Sequence, residues 1–322
     1  MFDVVALGEL LIDFTFCGIS PAGMRLFEQN PGGAPANVLC ALSKLGLKTA
    51  FIGKVGQDMH GDFLCETLQS QKVCTTGLVQ DSNVFTTLAF VELSESGERS
   101  FSFARKPGAD TCLRIGELNE DIIKNTKVFH FGSLSLTDEP ARSTTFSAVE
   151  TAKSSGAIIS YDPNYRALLW NSREEAMVRM RSALSLVDVI KISDEETELL
   201  TGAKSPDDAS KILIESGISC AVVTLGKDGA LIRTKTSFAQ VKTIDCTVVD
   251  TTGAGDAFWG GFLYKLVQSN KRPEELTAEE ANDFVEFANV VATLCVQKRG
   301  AIPAMPYLKD VMNLYPRKER RW

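Results

Sequence analysis

Short apolar runs recur along the chain and are separated by amphipathic stretches. Six of these runs are candidate strands, and they span residues 4–7, 49–52, 128–131, 157–160, 187–192 and 221–225. The stretches between them carry apolar residues at helical spacing, as Val38, Leu42 and Leu45 do. This alternation predicts βα units that build a mostly parallel, doubly wound central sheet flanked by helices.

Residues with strong end preferences mark several of the helices. Pro35 is placed at the first position of one helix, and Gly46 lies just past the last turn of that helix. In three other places a Ser or Thr precedes a Glu by three residues, which is the spacing of a capping box. These pairs are Ser172 with Glu175, Ser193 with Glu196, and Thr277 with Glu280.

Two stretches, at about 10–30 and 85–105, have the pattern of strands without helices. In the second, the runs FTTLAFVEL and RSFSFAR are joined by a polar turn at 94–98. We expect a small inserted β-sheet lid, whose edges would cover either a ligand or a second subunit, so a homodimer through the lid is possible. No internal repeat or long linker divides the chain. The favoured interpretation is one domain over residues 1–322 that carries this lid.

Composition and charge exclude several classes of protein. The 322 residues include 34 Lys and Arg against 41 Asp and Glu, so the formal net charge is −7 and no nucleic-acid partner is expected. The basic end at 317–321 is interpreted as a solvated tail. The eight cysteines include no CxxC pair, which argues against a zinc or redox motif. Because Asp3, Glu9 and Asp13 interrupt the N-terminal apolar run and no apolar stretch is long enough to span a membrane, we expect a cytoplasmic protein without a membrane partner.

The most informative motif is DTTGAGDAF at 250–258, which precedes a stretch with helical spacing. Its small residues Gly253, Ala254 and Gly255 let unpaired backbone N–H groups converge at the positive end of a helix, which is an anion hole. Asp256 would repel a phosphate that was merely stored there. It fits the chemistry if it takes a proton from a hydroxyl that attacks phosphorus, which indicates phosphoryl transfer. The alternative is that Asp256 only complements the helix dipole.

Other phosphate-binding motifs do not match. No GxxxxGK[ST] is present, and Phe258 stands where the third glycine of a dinucleotide GxGxxG would be. The signatures of protein kinases are absent as well. A nucleotide would therefore be held by a different architecture.

The motifs resemble those of the ribokinase-like family of carbohydrate kinases, and within it they are most similar to fructokinases. The resemblance covers almost the whole chain and rests on GELLIDF at 8–14, PGGAPAN at 31–37, the turn at 55–61 and the motif at 250–256. The segments FARKPGAD at 103–110 and DPNYR at 162–166 favour the fructokinase subgroup. The resemblance implies a ribokinase-like α/β fold and an ATP-dependent sugar kinase that converts D-fructose to fructose 6-phosphate.

The resemblance also assigns roles to individual residues. It implies that Asp256 is the catalytic base and that Gly253, Ala254 and Gly255 bind the migrating phosphoryl group, with Arg166 beside the phosphates. An arginine in that place would offset developing negative charge. The remaining implied sugar-binding residues are Asp13, Gly33, Asn37, Arg105 and Asp110. A carboxylate and an amide can together bind vicinal hydroxyls of a sugar.

For ATP, the resemblance implies the turn with Thr224, Gly226 and Gly229, together with Gly255 and Asn289. Ser193 stands where most of the family has Asn. Glu196 follows it at the position whose glutamate organises Mg²⁺ through water, but the same pair has capping-box spacing, and both interpretations remain open. Mg²⁺ is expected from the reaction itself, since the phosphates of ATP need a bridging hard cation.

A monovalent cation such as K⁺ is a further feature of the family. Its implied ligands match Asp250, Thr252, Cys295, Lys298 and Gly300. Ala304 replaces a serine hydroxyl that some members have there, which leaves K⁺ activation open. The alternatives for function are a kinase of another acceptor, such as 2-keto-3-deoxygluconate, ribose, a nucleoside or a phosphorylated sugar, and a non-catalytic sugar-binding regulator on the same fold.

Overall fold

The six apolar runs form inner strands of a nine-stranded central sheet in the computed structural model, which describes residues 1–93 and 99–315. Strands β5, β4, β1, β8, β9, β10 and β11 are neighbours in that order and all run parallel, and an antiparallel β12–β13 hairpin extends the edge. Their bounds are β1 (Phe2–Leu7), β4 (Thr49–Gly56), β5 (Cys74–Asp81), β8 (Thr126–Gly132), β9 (Ile158–Asp162), β10 (Val189–Ser193), β11 (Cys220–Thr224), β12 (Ala230–Thr234) and β13 (Phe238–Val241).

The predicted lid is a separate four-stranded sheet of order β3-β2-β6-β7. It comprises β2 (Leu11–Ile19), β3 (Arg25–Gly32), β6 (Leu88–Leu93) and β7 (Arg99–Ala104). Strands β2 and β6 pair in parallel, whereas β2–β3 and β6–β7 are antiparallel. The fold prediction is therefore confirmed, while the turn predicted at 94–98 lies outside the described residues and the single-domain interpretation stays a prediction.

Ten helices in the described part of the chain cover both faces of the central sheet. They are α1 (Ala34–Lys44), α2 (Met59–Ser70), α3 (Glu120–Lys124), α4 (Ala141–Ser154), α5 (Arg173–Ser182), α6 (Thr197–Thr201), α7 (Pro206–Glu215), α8 (Ala254–Ser269), α9 (Ala278–Val296) and α10 (Leu308–Leu314). Because side chains alternate along a strand, Val4 of β1 packs into the core beneath α1 and α8, and its neighbour Val5 packs into the core beneath α3 and α4.

Predicted caps explain several helix starts. Ser172 accepts a hydrogen bond from the amide of Glu175 at α5, and Thr277 and Glu280 form a reciprocal capping box at α9. Helix α1 starts one residue before the predicted position, at Ala34, because Gly33 adopts a φ of +122° and caps it. No helix among residues 1–93 and 99–315 has the length and apolarity to cross a bilayer.

Two adjacent glycines let α8 pack closely between α1 and α9. A Cβ on Gly260 would lie 2.7 Å from the Cβ of Ala41 in α1, and one on Gly261 would lie 2.9 Å from the Cα of Ala288 in α9. Larger residues at these positions would separate the helices. This packing brings the N-terminal turns of α1 and α8, which carry Asn37 and Asp256, to the same end of the sheet.

Candidate active site

A cavity of about 690 Å³ opens between the carboxyl edge of the central sheet and the lid. The lid contributes residues of β2 and β3, including Asp13, and the sheet edge contributes Glu9, Arg166 and Lys191. The starts of α1 and α8 and the two loops at 249–253 and 299–301 complete the wall. A crevice at the carboxyl ends of parallel strands is where open α/β sheets bind their ligands.

The loop that precedes α8 forms one wall of this cavity. Gly253 caps the helix with a φ of +76°, and a Cβ at this position would lie 2.7 Å from the Cβ of Ala301 in the facing loop. Gly253 and Gly255 line the cavity at the N-terminus of α8, where the positive end of the helix dipole suits the expected anion hole. Ala254 differs from the prediction, because its N–H donates to the carbonyl of Thr251 at 3.2 Å and closes a tight first turn.

Asp256 lies in the first turn of α8 and is 9% exposed. Its Oδ2 accepts a hydrogen bond of 2.8 Å from Nδ2 of Asn37 in α1. Burial raises the pKa of Asp256 to about 6, and the negative charge of Asp162 adds to the shift, while Asn37, Lys191 and Arg166 oppose it. The carboxyl group is therefore ionised above about pH 6 and can accept a proton at neutral pH.

Three of the predicted sugar-binding residues lie together in this cavity. Asp13 projects from β2, Gly33 caps α1, and Asn37 lies one turn into that helix. A Cβ on Gly33 would lie 2.3 Å from the carbonyl oxygen of Glu9, so only glycine fits there. The Oδ1 atom of Asn37 is buried and has no hydrogen-bond partner in the described part of the chain. An unsatisfied buried acceptor beside a cavity is suited to a ligand hydroxyl.

Arg166 also lines the cavity, at its exposed side. Its Nη1 donates to the carbonyl of Tyr165 at 3.0 Å, and the preceding Asn164 has a φ of +47°. The positive charge of Arg166 lowers the pKa of both Asp13 and Asp256 against the larger opposite effect of burial. Arg166 therefore shares one cavity with the predicted base and the predicted sugar-binding Asp13, and its charge acts on both carboxyl groups.

Arg105 and Asp110, the other two predicted sugar-binding residues, lie outside the wall of the cavity. They form a buried ion pair, with 2.6 Å between Nη2 and Oδ2 and 2.8 Å between Nε and the same oxygen. Arg105 also donates to the carbonyl of Leu134 and to Thr137. Neither residue lines the cavity. Their side chains satisfy one another behind its wall, and a direct contact with sugar stays a prediction.

The predicted ATP-binding residues form a second group farther along the carboxyl edge, outside the cavity wall except for Gly255. Ser193 and Thr224 are direct partners in the β10–β11 ladder. Gly226 has a φ of +55° and Gly229 has a φ of +92° in the turn that follows β11. Asn289 is buried, and its Nδ2 donates to the carbonyls of Val241 and Lys242. Four of these residues lie together at the ends of β10 and β11, namely Ser193, Thr224, Gly226 and Gly229. The contact of any predicted ATP-binding residue with ATP stays a prediction.

Glu196 adopts the capping geometry that the sequence left open. Its Oε2 accepts from the backbone N–H of Ser193 at 2.8 Å and from the Ser193 hydroxyl, and its Oε1 accepts from the N–H of Tyr165 at 2.7 Å. The carboxylate therefore joins the loop that carries Arg166 to the end of β10. Two oxygens that are held in place can still accept from magnesium-bound waters, so the residue fits an outer-sphere role.

The two loops predicted to hold a monovalent cation lie side by side. Asp250 Oδ1 accepts from the N–H and hydroxyl of Thr252, and Asp250 Oδ2 accepts from the N–H of Gly300 at 2.9 Å. At the end of α9, the N–H of Lys298 donates to the carbonyl of Cys295. Carboxylate and backbone carbonyl oxygens are the donor type that suits K⁺, and the described contacts of the Asp250 carboxylate are to N–H and hydroxyl donors, so the K⁺ site stays a prediction. Among residues 1–93 and 99–315 no group of three or more His, Cys, Asp or Glu could hold a metal ion.

Sequence reasoning missed three charged residues near the cavity: Glu9, Asp162 and Lys191. Glu9 is 3% exposed, and its Oε1 accepts from the N–H of Ala34 at 2.8 Å while its Oε2 has no partner among the described residues. Lys191 and Asp162 form a buried ion pair of 2.7 Å. The sequence feature that could have indicated them is a charged residue inside or at the end of an apolar strand. A charge in such a strand is rarely buried without a partner.

Glu9 gives a test of this electrostatic description. Burial raises its pKa to about 7 from an ordinary value of 4.5. Between these values the unfolded chain releases the proton before the folded chain does, so the folded state loses stability as pH rises through this range. We expect Glu9→Gln to be as stable as the unchanged protein at pH 4.5 and more stable at pH 8, by up to about 3 kcal/mol.

Calorimetric melting temperatures measured from pH 4.5 to 8 check this expectation. The matched control is Glu66→Gln, which makes the same charge change at an exposed position of α2. If the Glu9→Gln curve runs parallel to that of the unchanged protein over the whole range, the buried carboxyl group does not titrate as described.

Comparison with known proteins agrees with this architecture. The model of the pfkB family of carbohydrate kinases matches residues 1–308. The chain belongs to this family. It is 43% identical over 314 residues to the probable fructokinase-4 of Arabidopsis thaliana, covering 97% of this chain and 96% of that protein, and 43% identical over 315 residues to the fructokinase-1 of Zea mays, covering 97% of each.

Solved structures of this pfkB-family chain's relatives show the same fold. The ATP-bound fructokinase of Xylella fastidiosa has a TM-score of 0.90 and 36% identity, covering 98% of each chain. The fructokinase of Vibrio cholerae O395 with fructose, ADP and calcium bound has a TM-score of 0.87 and 34% identity, covering 98% of this chain and 99% of that one. Family membership identifies the chain as a phosphotransferase of the carbohydrate kinase type, as the sequence motifs predict.

Proposed function

We propose that this carbohydrate kinase is a fructokinase, which transfers the γ-phosphoryl group of ATP to D-fructose and forms fructose 6-phosphate. The observation that carries the proposal is the placement of Asp256. It is a buried carboxyl group at the N-terminus of α8, bonded to Asn37, in one cavity with Asp13 and Gly33. The relatives that are 43% identical along almost their whole length are named fructokinases, which supports fructose as the acceptor.

In the proposed reaction, the sugar lies between the lid and the sheet edge with its primary hydroxyl against Asp256. The carboxylate accepts the hydroxyl proton as the sugar oxygen forms its bond to the γ-phosphorus, and the bond from that phosphorus to the β-phosphate oxygen breaks to release ADP. The N–H groups of Gly253 and Gly255 and the guanidinium of Arg166 stabilise the charge on the transferred group. The lid excludes water, which would otherwise compete as the acceptor.

Mg²⁺ and K⁺ belong to this proposal as well. Bound Mg²⁺ would neutralise the phosphates of ATP, with Glu196 holding its waters. The loops that carry Asp250 and Gly300 would hold K⁺ next to the start of α8. A double mutant of the fructokinase of Vibrio cholerae O395 has been described with fructose, ADP and potassium ion bound, which supports a monovalent cation. The cytoplasmic location and a homodimer through the lid stay predictions.

A coupled assay of ADP formation across a panel of acceptors tests the proposal. The panel contains fructose, glucose, ribose, 2-keto-3-deoxygluconate, a nucleoside and fructose 6-phosphate, each with Mg²⁺ and with either K⁺ or Na⁺. We expect the highest kcat/KM for fructose. A higher kcat/KM for another acceptor would identify that acceptor as the substrate in place of fructose. If no acceptor in the panel gives ADP, the result would favour the sugar-binding regulator.

The Asp13→Ala variant tests the sugar site separately from the ATP site. Because a carboxylate that accepts hydrogen bonds from sugar hydroxyls is lost, we expect the KM for fructose to rise by about 10-fold to 100-fold. The KM for ATP should change by less than about 3-fold, since Asp13 lies on the lid side of the cavity. Initial velocities at varied concentrations of each substrate measure both constants. An equal rise in both would contradict the placement of Asp13.

A further inference from the structure

Lys191 is a buried cation that the reaction described so far does not use. It lies near the end of β10, is 5% exposed, and lines the cavity. Its ammonium donates a hydrogen bond of 2.7 Å to Oδ2 of Asp162, at the end of the neighbouring strand β9. Burying a lysine ammonium costs its free energy of hydration unless hydrogen-bond acceptors and negative charges offset the loss.

The ammonium of Lys191 lies beside the first turn of α8. A Cβ built on Gly255 would be 3.4 Å from Nζ of Lys191, so the ammonium is the nearest atom on the side of Gly255 that glycine leaves without a side chain. Burial alone would lower the pKa of Lys191, but the negative charges of Asp162, Glu196 and Asp256 and the hydrogen bond to Asp162 together outweigh burial and raise it. A protonated lysine therefore lines the same cavity as the first turn of α8, whose N–H groups would receive a phosphoryl group.

A second buried lysine shows how a purely structural ammonium is satisfied in this protein. Lys54 of β4 is fully buried. Its ammonium donates hydrogen bonds in two ion pairs, to Asp81 at 3.0 Å and to Glu117 at 2.6 Å. Lys54 does not line the cavity. Lys191 has one hydrogen-bond acceptor among the described residues, and the Oδ1 atom of Asp162 is buried without a partner. The Lys191–Asp162 pair thus has unused hydrogen-bonding capacity at the cavity wall.

Resting on the proposed function, we propose that Lys191 is a catalytic residue whose ammonium contacts the oxygens of the travelling phosphoryl group beside the N–H groups of Gly253 and Gly255. Asp162 is then a positioning residue, which acts by holding that ammonium against the start of α8. A cation that is already in place when charge develops stabilises the transition state without reorganising. No atom is transferred to or from Lys191 in this step, since its proton stays bound throughout.

The first test compares Lys191→Met with Lys54→Met. We expect Lys191→Met to lower kcat by about 10² to 10³, the usual effect of losing one donor in such a site, with a KM for fructose within about 3-fold of the unchanged enzyme. Lys191→Arg should recover part of the loss. Lys54→Met loses an equally buried lysine away from the cavity, and it should keep kcat per folded molecule even if its melting temperature falls.

A double variant that combines Asp162→Asn and Lys191→Met controls for loss of folding. The double variant removes both buried charges together, so no unpaired carboxylate is left inside the protein. We expect it to melt near the temperature of the unchanged enzyme and to keep the same large loss of kcat. Asp162→Asn alone keeps the ammonium but loosens its position, and a smaller loss is expected.

The pH profile of kcat tests whether the charge of Lys191 acts on Asp256, and the binding of nucleotides tests its contact with the phosphoryl group. Asp256 is faced by Asp162 of β9, Lys191 of β10, Asn37 of α1 and Arg166 of the loop after β9. Cys295 of α9 also interacts electrostatically with Asp256, and burial raises the pKa of its thiol, so it is neutral at pH 8. Losing the positive charge of Lys191 should move the acidic limb of kcat to higher pH in Lys191→Met, and Lys54→Met should not move it.

Binding of nucleotides separates this inference from the proposed function. Isothermal titration calorimetry measures the Kd of ADP and the Kd of the non-hydrolysable analogue AMP-PNP. In Lys191→Met the ratio of the Kd for AMP-PNP to the Kd for ADP should be at least about 10-fold higher than in the unchanged enzyme. Failure of the unchanged enzyme to phosphorylate fructose would overturn the proposed function, and this ratio would still test Lys191. If the double variant keeps kcat within about 3-fold, or if the ratio is unchanged, the inference about Lys191 is overturned.

Discussion

Asp256→Asn should lower kcat by about 10² to 10⁴ while both substrates still bind, because the variant loses the group that accepts the hydroxyl proton. In the unchanged protein Nδ2 of Asn37 donates to Asp256 Oδ2 at 2.8 Å. The amide of the variant keeps the shape of the side chain, and its oxygen can accept the same hydrogen bond. The loop at 250–253 and helix α8 should therefore stay in place. Steady-state kinetics with fructose and ATP, together with calorimetric titration of each ligand, measure the two halves of this expectation.

Asp121→Asn is the matched control for that experiment. It makes the same change at another aspartate in the first turn of a helix, but in the exposed N-terminal turn of α3. We expect normal turnover from it. Near-normal turnover in Asp256→Asn would remove the residue from its assigned role, and a parallel loss of ATP binding would indicate that the change had disturbed the anion hole instead.

Gly253→Ala should produce the second largest loss, about 10² or more in kcat, since it displaces the backbone donors of the anion hole. Alanine at this position would need a φ of +76°, and its Cβ would lie 2.7 Å from the Cβ and 3.0 Å from the Cα of Ala301. The backbone cannot move aside as a flexible side chain could. We therefore expect the loops at 250–253 and 299–301 to separate, with loss of kcat and weaker binding of AMP-PNP.

Gly202→Ala separates strain from displacement. Gly202 has a φ of +83°, close to that of Gly253, and a Cβ there would meet nothing within 4 Å. It ends the short helix α6, outside the cavity wall. The control should therefore lose about 1–2 kcal/mol of stability through backbone strain while keeping kcat. Equal kinetic losses in the two glycine variants would contradict the specific role of the loop before α8.

The fold was predictable because each of its parts has a local signal. Apolar runs such as 128–131 became inner strands since a strand covered on both faces must be apolar along its whole length. The lid was predictable from stretches that lack helical spacing. Strand order was not derivable from these local patterns, because it depends on packing between distant segments such as the Gly260 contact with Ala41.

The residues that meet at the centre of the candidate site could also be singled out from the sequence, since they lie within short motifs. The motif at 250–256 and the one at 31–37 meet in the bond between Asn37 and Asp256. The environments of single side chains were not predictable in this way. Arg105 is bonded to Asp110 behind the cavity wall, and Lys191 is bonded to Asp162 from the neighbouring strand. Such partners depend on three-dimensional packing and on the cost of burying a charge, neither of which has a signal in sequence spacing.

Single-turnover transfer measured by rapid quench tests the central claim most directly, because it observes the chemical step without product release. Enzyme in excess is mixed with radiolabelled [γ-³²P]ATP and saturating fructose, and labelled fructose 6-phosphate is followed over time. The unchanged enzyme should form it in one fast phase, and Asp256→Asn should form it about 10² to 10⁴ times more slowly at full occupancy of both ligands. Equal rates in the two proteins would contradict the claim that Asp256 accepts the proton of the attacking hydroxyl.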